Sequence, residues 1–273
     1  MPFFNFLNKK QRINIPSKIK VGNLIIENLI PLGGMFKPGI TKAGRLSLFG
    51  KLQDGTKVKV YSSHSKEQNF LRLKIGNMRK NEDVLFPPVI ISDNKFVVEK
   101  WIDGKLFTKL KNNYIDKYSN KVINFLEEIH YDSKYINLAK YNTNSFFYLS
   151  NYLNNRLKIW EQWEPVTKLL NAWIKSNEET KSIVPLRVSH PDLSLSNMIL
   201  DSGNKIYIID NELLGVGKGW LLDTRNSFIR SKVKNKKNNQ IVERFLELSW
   251  KMRLVGSAID SGDFARAERL SKI

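Results

Sequence analysis

The sequence predicts an α+β protein of two lobes: a small antiparallel β-rich lobe first, then a larger and mainly helical one. Two observations predict it. Through about residue 103 the apolar residues come in short alternating runs punctuated by glycine, as strands do. After Gly104 they recur at threes and fours over long stretches, the signature of amphipathic helices. Nothing repeats at a fixed period, so a solenoid is excluded. The expected divisions are a basic extension over residues 1–20, an N-lobe over 21–103 and a C-lobe over 104–273.

The elements follow in order. An apolar run from Val21 to Leu32 ends at Gly33 and Gly34. Residues 44–52 and 56–61 form the next two strands, and Asp54-Gly55 between them is a strong hairpin signal. Residues 65–78 read as a helix, with Phe70, Leu71, Leu73, Lys74 and Ile75 on one face. Two more strands, 84–92 and 95–102, flank a turn that begins at Ser92. Beyond Gly104, residues 114–130 are helical, since Tyr118, Val122, Phe125, Leu126 and Ile129 share a face. Residues 146–174 are helical with an interruption at Pro165. Between Val184 and Ile209 two apolar runs bracket a polar loop, which suggests a small hairpin. Helices return from Leu221, most clearly over 240–256 and 263–270.

Composition removes several function classes. The chain has 273 residues, 41% hydrophobic and 26% charged, enough apolar material for a core. With no cysteine it has no disulfide framework, thiolate zinc site, iron–sulfur cluster or cysteine nucleophile. Its three histidines are too few for a multi-histidine metal cage. No apolar run reaches the length of about 18 residues that a membrane span needs. The first residues are apolar and then basic, the reverse of a secretory signal, so a cytoplasmic protein is expected. The formal charge of +19 comes with a chain rich in Lys, Asn and Ile throughout, and its cations are spread along the sequence. No nucleic-acid-binding motif accompanies them, so no obligatory nucleic-acid partner is expected. Phe3, Phe4, Phe6 and Leu7 ahead of basic residues leave room for a weak peripheral membrane contact through the N-terminus.

The chemistry gathers between Val188 and Glu212. An apolar run delivers a loop with His190, Asp192 and Asn197; a second apolar run ends at Asp210. Two carboxylates and an amide carbonyl are hard oxygen donors that suit magnesium. One carboxylate would remain to orient an attacking hydroxyl. Phosphoryl transfer needs that arrangement, because its catalysis is mainly positioning and neutralisation of negative charge. Asp201-Ser-Gly-Asn204, between the same runs, reads as a plain turn.

The segment from His190 to Asn197, His-Pro-Asp-Leu-Ser-Leu-Ser-Asn, followed by Ile208-Ile-Asp210, resembles the catalytic and metal-binding motifs of the aminoglycoside phosphotransferase and choline-kinase-like families. These are small-molecule relatives of the protein kinases. The resemblance implies a protein-kinase-like fold, ATP (or GTP) and Mg2+ as cofactors, and a small-molecule hydroxyl as acceptor. It implies Asp192 as catalytic base, with Asn197 and Asp210 on magnesium. Pro191 stands where a protein kinase has Arg, and Asn211-Glu212 replaces Phe-Gly, so the small-molecule branch is favoured.

The resemblance assigns further parts. The phosphate-binding lysine falls on Lys59, with Lys57 on the same strand face as the alternative. Glu67 on the following helix is its expected ion-pair partner. The run from Phe96 to Gly104 matches the lobe junction and places Glu99 and Trp101 at the nucleotide. Backbone groups of residues 100–102 would meet the adenine edge, and Gly104 would let the chain turn. Gly33 and Gly34 occupy the place of the phosphate-covering turn without matching G-x-G-x-x-G. His130 and His190 are expected to be structural, and Asp223 to anchor the loop. The basic C-lobe suits a neutral or anionic acceptor such as a sugar. Trp160, Trp163 and Trp173 are read as core rather than as a sugar-stacking wall. A nucleotide-binding pseudokinase, or a basic membrane- or nucleic-acid-binding module, is the rival reading.

Overall fold

The computed structural model describes residues 15–32, 47–62, 65–80, 82–140, 157, 160–190, 193–218 and 240–273. Strands β1 (Lys18–Val21), β2 (Leu24–Pro31), β3 (Ser47–Leu52) and β4 (Lys57–Ser62) lead into helix α1 (Lys66–Met78). Strands β5 (Val84–Leu85), β6 (Val89–Ser92) and β7 (Phe96–Lys100) follow. All of these strands except β5 make a six-stranded antiparallel sheet in the order β1-β2-β3-β4-β7-β6.

The turns between these strands have local causes. Gly55 adopts φ 84°, which costs a side-chain-bearing residue energy and glycine little. The Asp54 carboxylate accepts from the Thr56 N–H at 2.9 Å, completing the expected β3–β4 hairpin. Asp93 closes β6 onto β7 by accepting from the N–H groups of Lys95 and Phe96, each at 2.7 Å. Edge strand β1 turns Lys18 and Lys20 outward, and those charges discourage pairing with another chain.

Alternation gives this sheet two different faces. One is apolar and carries Ile26, Leu48, Val58, Val60, Phe96 and Val98 into a shared core with Ile19 and Val21. On the central strands the other face holds Phe49, Lys59, Tyr61, Val97 and Glu99. Helix α1 begins at a Ser65 cap, whose hydroxyl accepts from the Gln68 N–H at 3.2 Å. Gln68, Asn69, Leu71, Arg72 and Ile75 are its buried residues, while Phe70 is 49% exposed. The inward face therefore lies one position round from the expected one.

The chain divides into two compact units, Met1–Asn69 with Pro87–Trp101, and Phe70–Phe86 with Ile102–Ile273. The second unit holds strands β8 (Lys105–Leu106), β9 (Arg187–Ser189), β10 (Met198–Leu200), β11 (Ile206–Ile208) and β12 (Gly215–Gly217). Its helices from residue 102 onward are α2 (Asn112–Tyr131), α3 (Ser133–Lys140), α4 (Glu164–Lys181), α5 (Gln240–Asp260) and α6 (Phe264–Ser271). The small hairpin is β10–β11, and it is extended by parallel β5 and antiparallel β8 into the order β5-β11-β10-β8. Strand β9, the run before the polar loop and so expected as one arm of the hairpin, pairs with β12 instead, and β10 takes that place.

Two cores hold this unit. One gathers Leu71, Ile75, Val84 and Phe86 with the apolar stripe of α2 and the hairpin residues Met198, Ile206 and Ile208. The other packs α4, α5 and α6 around Trp173, Phe245 and Met252. Pro165 does not interrupt a helix. It lies in the first turn of α4, where its missing N–H costs nothing and its fixed φ helps. The chain bends at Gly104 as expected, and the glycine also allows close approach there: a Cβ would lie 2.5 Å from both Ile199 Cγ2 and the Leu200 carbonyl oxygen.

Candidate functional site

The β10–β11 hairpin brings two of the expected metal ligands to the same end of one element. Asp201 closes its turn, accepting from the Lys205 N–H at 2.8 Å through its side chain. From there the register runs Leu200↔Ile206 to Met198↔Ile208. The ladder continues one step further, because the Ile209 N–H donates to the Asn197 carbonyl at 2.9 Å. Asn197 thus stands beside the residue that precedes Asp210.

Asp210 is held in the left-handed region, at φ 63° and ψ 45°. Aspartate tolerates that conformation better than most residues, but it still costs energy unless neighbours enforce it. Two anchors do. The Asn211 amide donates to the Ile208 carbonyl at 2.9 Å. The fully buried His190 ring meets the Asp210 carbonyl oxygen through Nε2 at 3.0 Å. A carbonyl only accepts, so Nε2 carries the proton. The imidazole therefore ties the loop after β9 to the exit of β11, the structural role expected of His190.

The donor set fits magnesium in chemistry and number. Asn197 and Asp210 supply one amide and one carboxylate, and magnesium commonly keeps waters and substrate phosphates in its remaining positions. Among the described residues no three His, Asp or Glu side chains gather into a fuller metal cage. Asp192, Gly33, Gly34 and Asp223 lie outside the described residues.

Lys59 sits on a central strand of the first sheet, between Phe49 on β3 and Glu99 on β7. It is half-buried, whereas Lys57 is exposed and faces another lysine, Lys51, across β3. The Lys59 ammonium lies 5.2 Å from the centre of the Tyr61 ring. Tyr61 in turn donates its hydroxyl to a Glu99 carboxylate oxygen at 2.9 Å. Glu99 is 1% exposed, so its side chain is engaged inside the sheet. Glu67, half-buried in the first turn of α1, makes no ion pair among the described residues, so the expected bridge to Lys59 is absent.

At the junction, the Trp101 ring meets Phe49 edge-on, centroids 5.0 Å apart. The Lys100 N–H donates to the Pro88 carbonyl at 2.8 Å and the Trp101 N–H to that of Lys57 at 3.0 Å. Both donors are engaged within the sheet, which leaves the Ile102 N–H as the donor of that stretch.

Three further expectations have an outcome. Half-buried His130 has no hydrogen-bond partner at Nδ1, and burial with the nearby Arg187 guanidinium lowers its pKa to about 4. A neutral, structural ring is the result. Trp173 is core, with its indole N–H on Ser249 at 2.9 Å. Trp160 and Trp163 pack at the edge of the same core against Phe264. Sequence reasoning missed Tyr61 and Phe49. Simple alternation two residues from Lys59, and register across the hairpin, could have found both.

No protein-family model matches the sequence, and no curated protein matches it. Solved structures do match in fold. The streptomycin–ATP ternary complex of APH(2")-IIa is 17% identical at a TM-score of 0.53, covering 98% of this chain and 94% of that one. A thermostable mutant of the aminoglycoside phosphotransferase APH(4)-Ia is 11% identical at 0.56, covering 90% and 93%. LicA in complex with AMP is 13% identical at 0.57, covering 92% and 93%. The chain therefore has the bilobal α+β, protein-kinase-like fold that these proteins share. No helix among the described residues is long and apolar enough to cross a membrane.

Proposed function

We propose that this chain is a small-molecule kinase that transfers the γ-phosphate of ATP or GTP to a hydroxyl group. The observation that carries the reading is the hairpin that sets Asn197 beside Ile209, next to a left-handed Asp210 pinned by His190. Structures of the same fold that hold ATP or AMP support the nucleotide.

Each residue has a role that its chemistry suits. Asn197 and Asp210 would hold magnesium, which when bound neutralises charge on the β- and γ-phosphates. Lys59 offers an ammonium to the phosphates. Asp192 orients the acceptor hydroxyl and takes its proton as the new oxygen–phosphorus bond forms. The bond from the γ-phosphorus to the nucleoside diphosphate breaks in the same displacement, and the diphosphate leaves with that electron pair. The chain's charge of +19 favours a neutral or anionic acceptor, a sugar or a similar metabolite, over a polycation. We place the activity in the cytoplasm, where nucleoside triphosphates are supplied.

Incubation with γ-labelled ATP, magnesium and a pooled metabolite extract tests this. The expected result is label in one small-molecule class, lost in Asp192→Ala and in Asp210→Ala. No transfer by wild-type protein, or undiminished transfer by either variant, would overturn the assignment.

A further inference from the structure

The carboxylate built into the surroundings of Lys59 is not the one that the kinase motifs imply. We propose that Tyr61 and Glu99 position the Lys59 ammonium for the nucleotide phosphates, in the place expected of Glu67; this rests on the kinase reading above.

Lys59 and Glu99 are direct partners across the antiparallel β4–β7 pair. Directly opposed residues point to the same face, with Cβ atoms about 5 Å apart. Tyr61, two positions beyond Lys59, shares that face. Its ring lies 5.2 Å from the Lys59 ammonium, and its hydroxyl bonds Glu99 at 2.9 Å. One tyrosine thus touches both members of the pair.

Burial gives these contacts their weight. Tyr61 and Glu99 are each 1% exposed. A carboxylate withdrawn from water needs hydrogen bonds and a nearby cation to offset its lost hydration. The Tyr61 hydroxyl supplies one bond, and Lys59 is the cation directly opposed to it on β4. A cation over an aromatic face gains more as it is desolvated. The ammonium is therefore steered by two groups on adjacent central strands of one sheet.

Glu67 has a simpler explanation. It lies in the first turn of α1, where the positive end of the helix dipole favours an acid. The strand position of Lys59, opposite Glu99, is set by the β4–β7 register.

The test uses the full chain with Tyr61→Phe, Glu99→Gln and Glu67→Gln. Its first readout needs no nucleotide: reductive methylation of Lys59 relative to Lys57, followed by mass spectrometry. Lys57 is an exposed lysine on the same strand and serves as internal reference. Losing a hydrogen bond to a charged group should raise the Lys59/Lys57 ratio about fivefold in Tyr61→Phe and Glu99→Gln. Glu67→Gln should leave it unchanged. A merely structural role would move both lysines together. The second readout is calorimetric binding of magnesium–AMP-PNP, expected to weaken about tenfold in the first two variants. If Glu99→Gln does not fold, Tyr61→Phe decides alone, because it keeps the ring and removes only the hydroxyl. A raised ratio in Glu67→Gln, with none in Tyr61→Phe, overturns the proposal. Wild-type protein that shows the methylation pattern but binds no magnesium–AMP-PNP overturns it through its premise, the kinase reading, instead.

Discussion

His190 donates from Nε2 to the carbonyl oxygen of Asp210 at 3.0 Å, joining two loops that are 20 residues apart in sequence. The imidazole is wholly buried, and the residue it holds is left-handed. Without the bond, the Asp210 carbonyl loses this donor and the φ of 63° loses one of its two enforcers. His190→Ala should therefore destabilise the fold by about 2 kcal/mol. It should also weaken magnesium–nucleotide binding although it touches neither ligand. Urea unfolding and calorimetry check the two effects; full affinity in the folded variant would show that Asp210 needs no such anchor.

Arg79 is the polar centre of the second unit. It donates from Nε to the Val84 carbonyl at 2.9 Å, and from one terminal nitrogen to Glu128 at 2.8 Å and to the Tyr135 hydroxyl at 3.0 Å. Its plane also lies 4.6 Å from the centre of the Phe125 ring. Arg79→Met keeps the bulk and leaves Glu128 and Tyr135 without that donor, a loss of about 3 kcal/mol. Urea unfolding measures it, and a loss under about 0.5 kcal/mol would place the network among weak surface pairs.

Gly104→Ala should cost about 2 kcal/mol, because its Cβ would run into a backbone carbonyl that cannot step aside. The neighbours are Leu200 O and Ile199 Cγ2, both at 2.5 Å. Thermal unfolding should show a lower midpoint. An unchanged midpoint would mean that β8 and β10 can separate freely.

The neutral state of His130 predicts a pH dependence. Burial first, and then the Arg187 guanidinium, lower its pKa from 6.5 to about 4. The folded chain binds this proton less readily than the unfolded chain does. The contribution is complete above the unfolded value of 6.5, and it is lost as pH falls from there towards about 4. It amounts to about 2 kcal/mol once solvent screening is allowed for. Subtracting the His130→Met stability curve from the wild-type curve should show a slope in that window and none above it. A flat difference would mean that folding leaves the His130 pKa unchanged.

What the sequence disclosed depended on how local the cause was. The Asp54-Gly55 turn, the α2 stripe and the short helix that starts at Asp263 are set by neighbours within a few residues, and each was legible. The pairing of Asn197 with Ile209 was not legible: the apolar run before His190, read as one arm of the hairpin, pairs with β12, and the short strand Met198–Leu200 takes its place beside β11. Strands β5 and β8 have two residues each and exist because β10 and β11 offer them edges, which no local pattern announces. Glu67 illustrates the limit at the site: the resemblance implied an ion pair from it, yet the carboxylate opposed to Lys59 comes from β7, fixed by a register that forms only when the sheet does.

The central claim is a magnesium-dependent nucleotide site that rests on Asn197 and Asp210. Calorimetric titration of AMP-PNP, with magnesium and with chelator, tests it most directly. The account predicts binding that requires magnesium, that falls at least about tenfold in Asp210→Ala, and that falls less in Asp192→Ala. Equal affinity with and without magnesium, or an Asp210→Ala protein that binds as the wild type does, would contradict it.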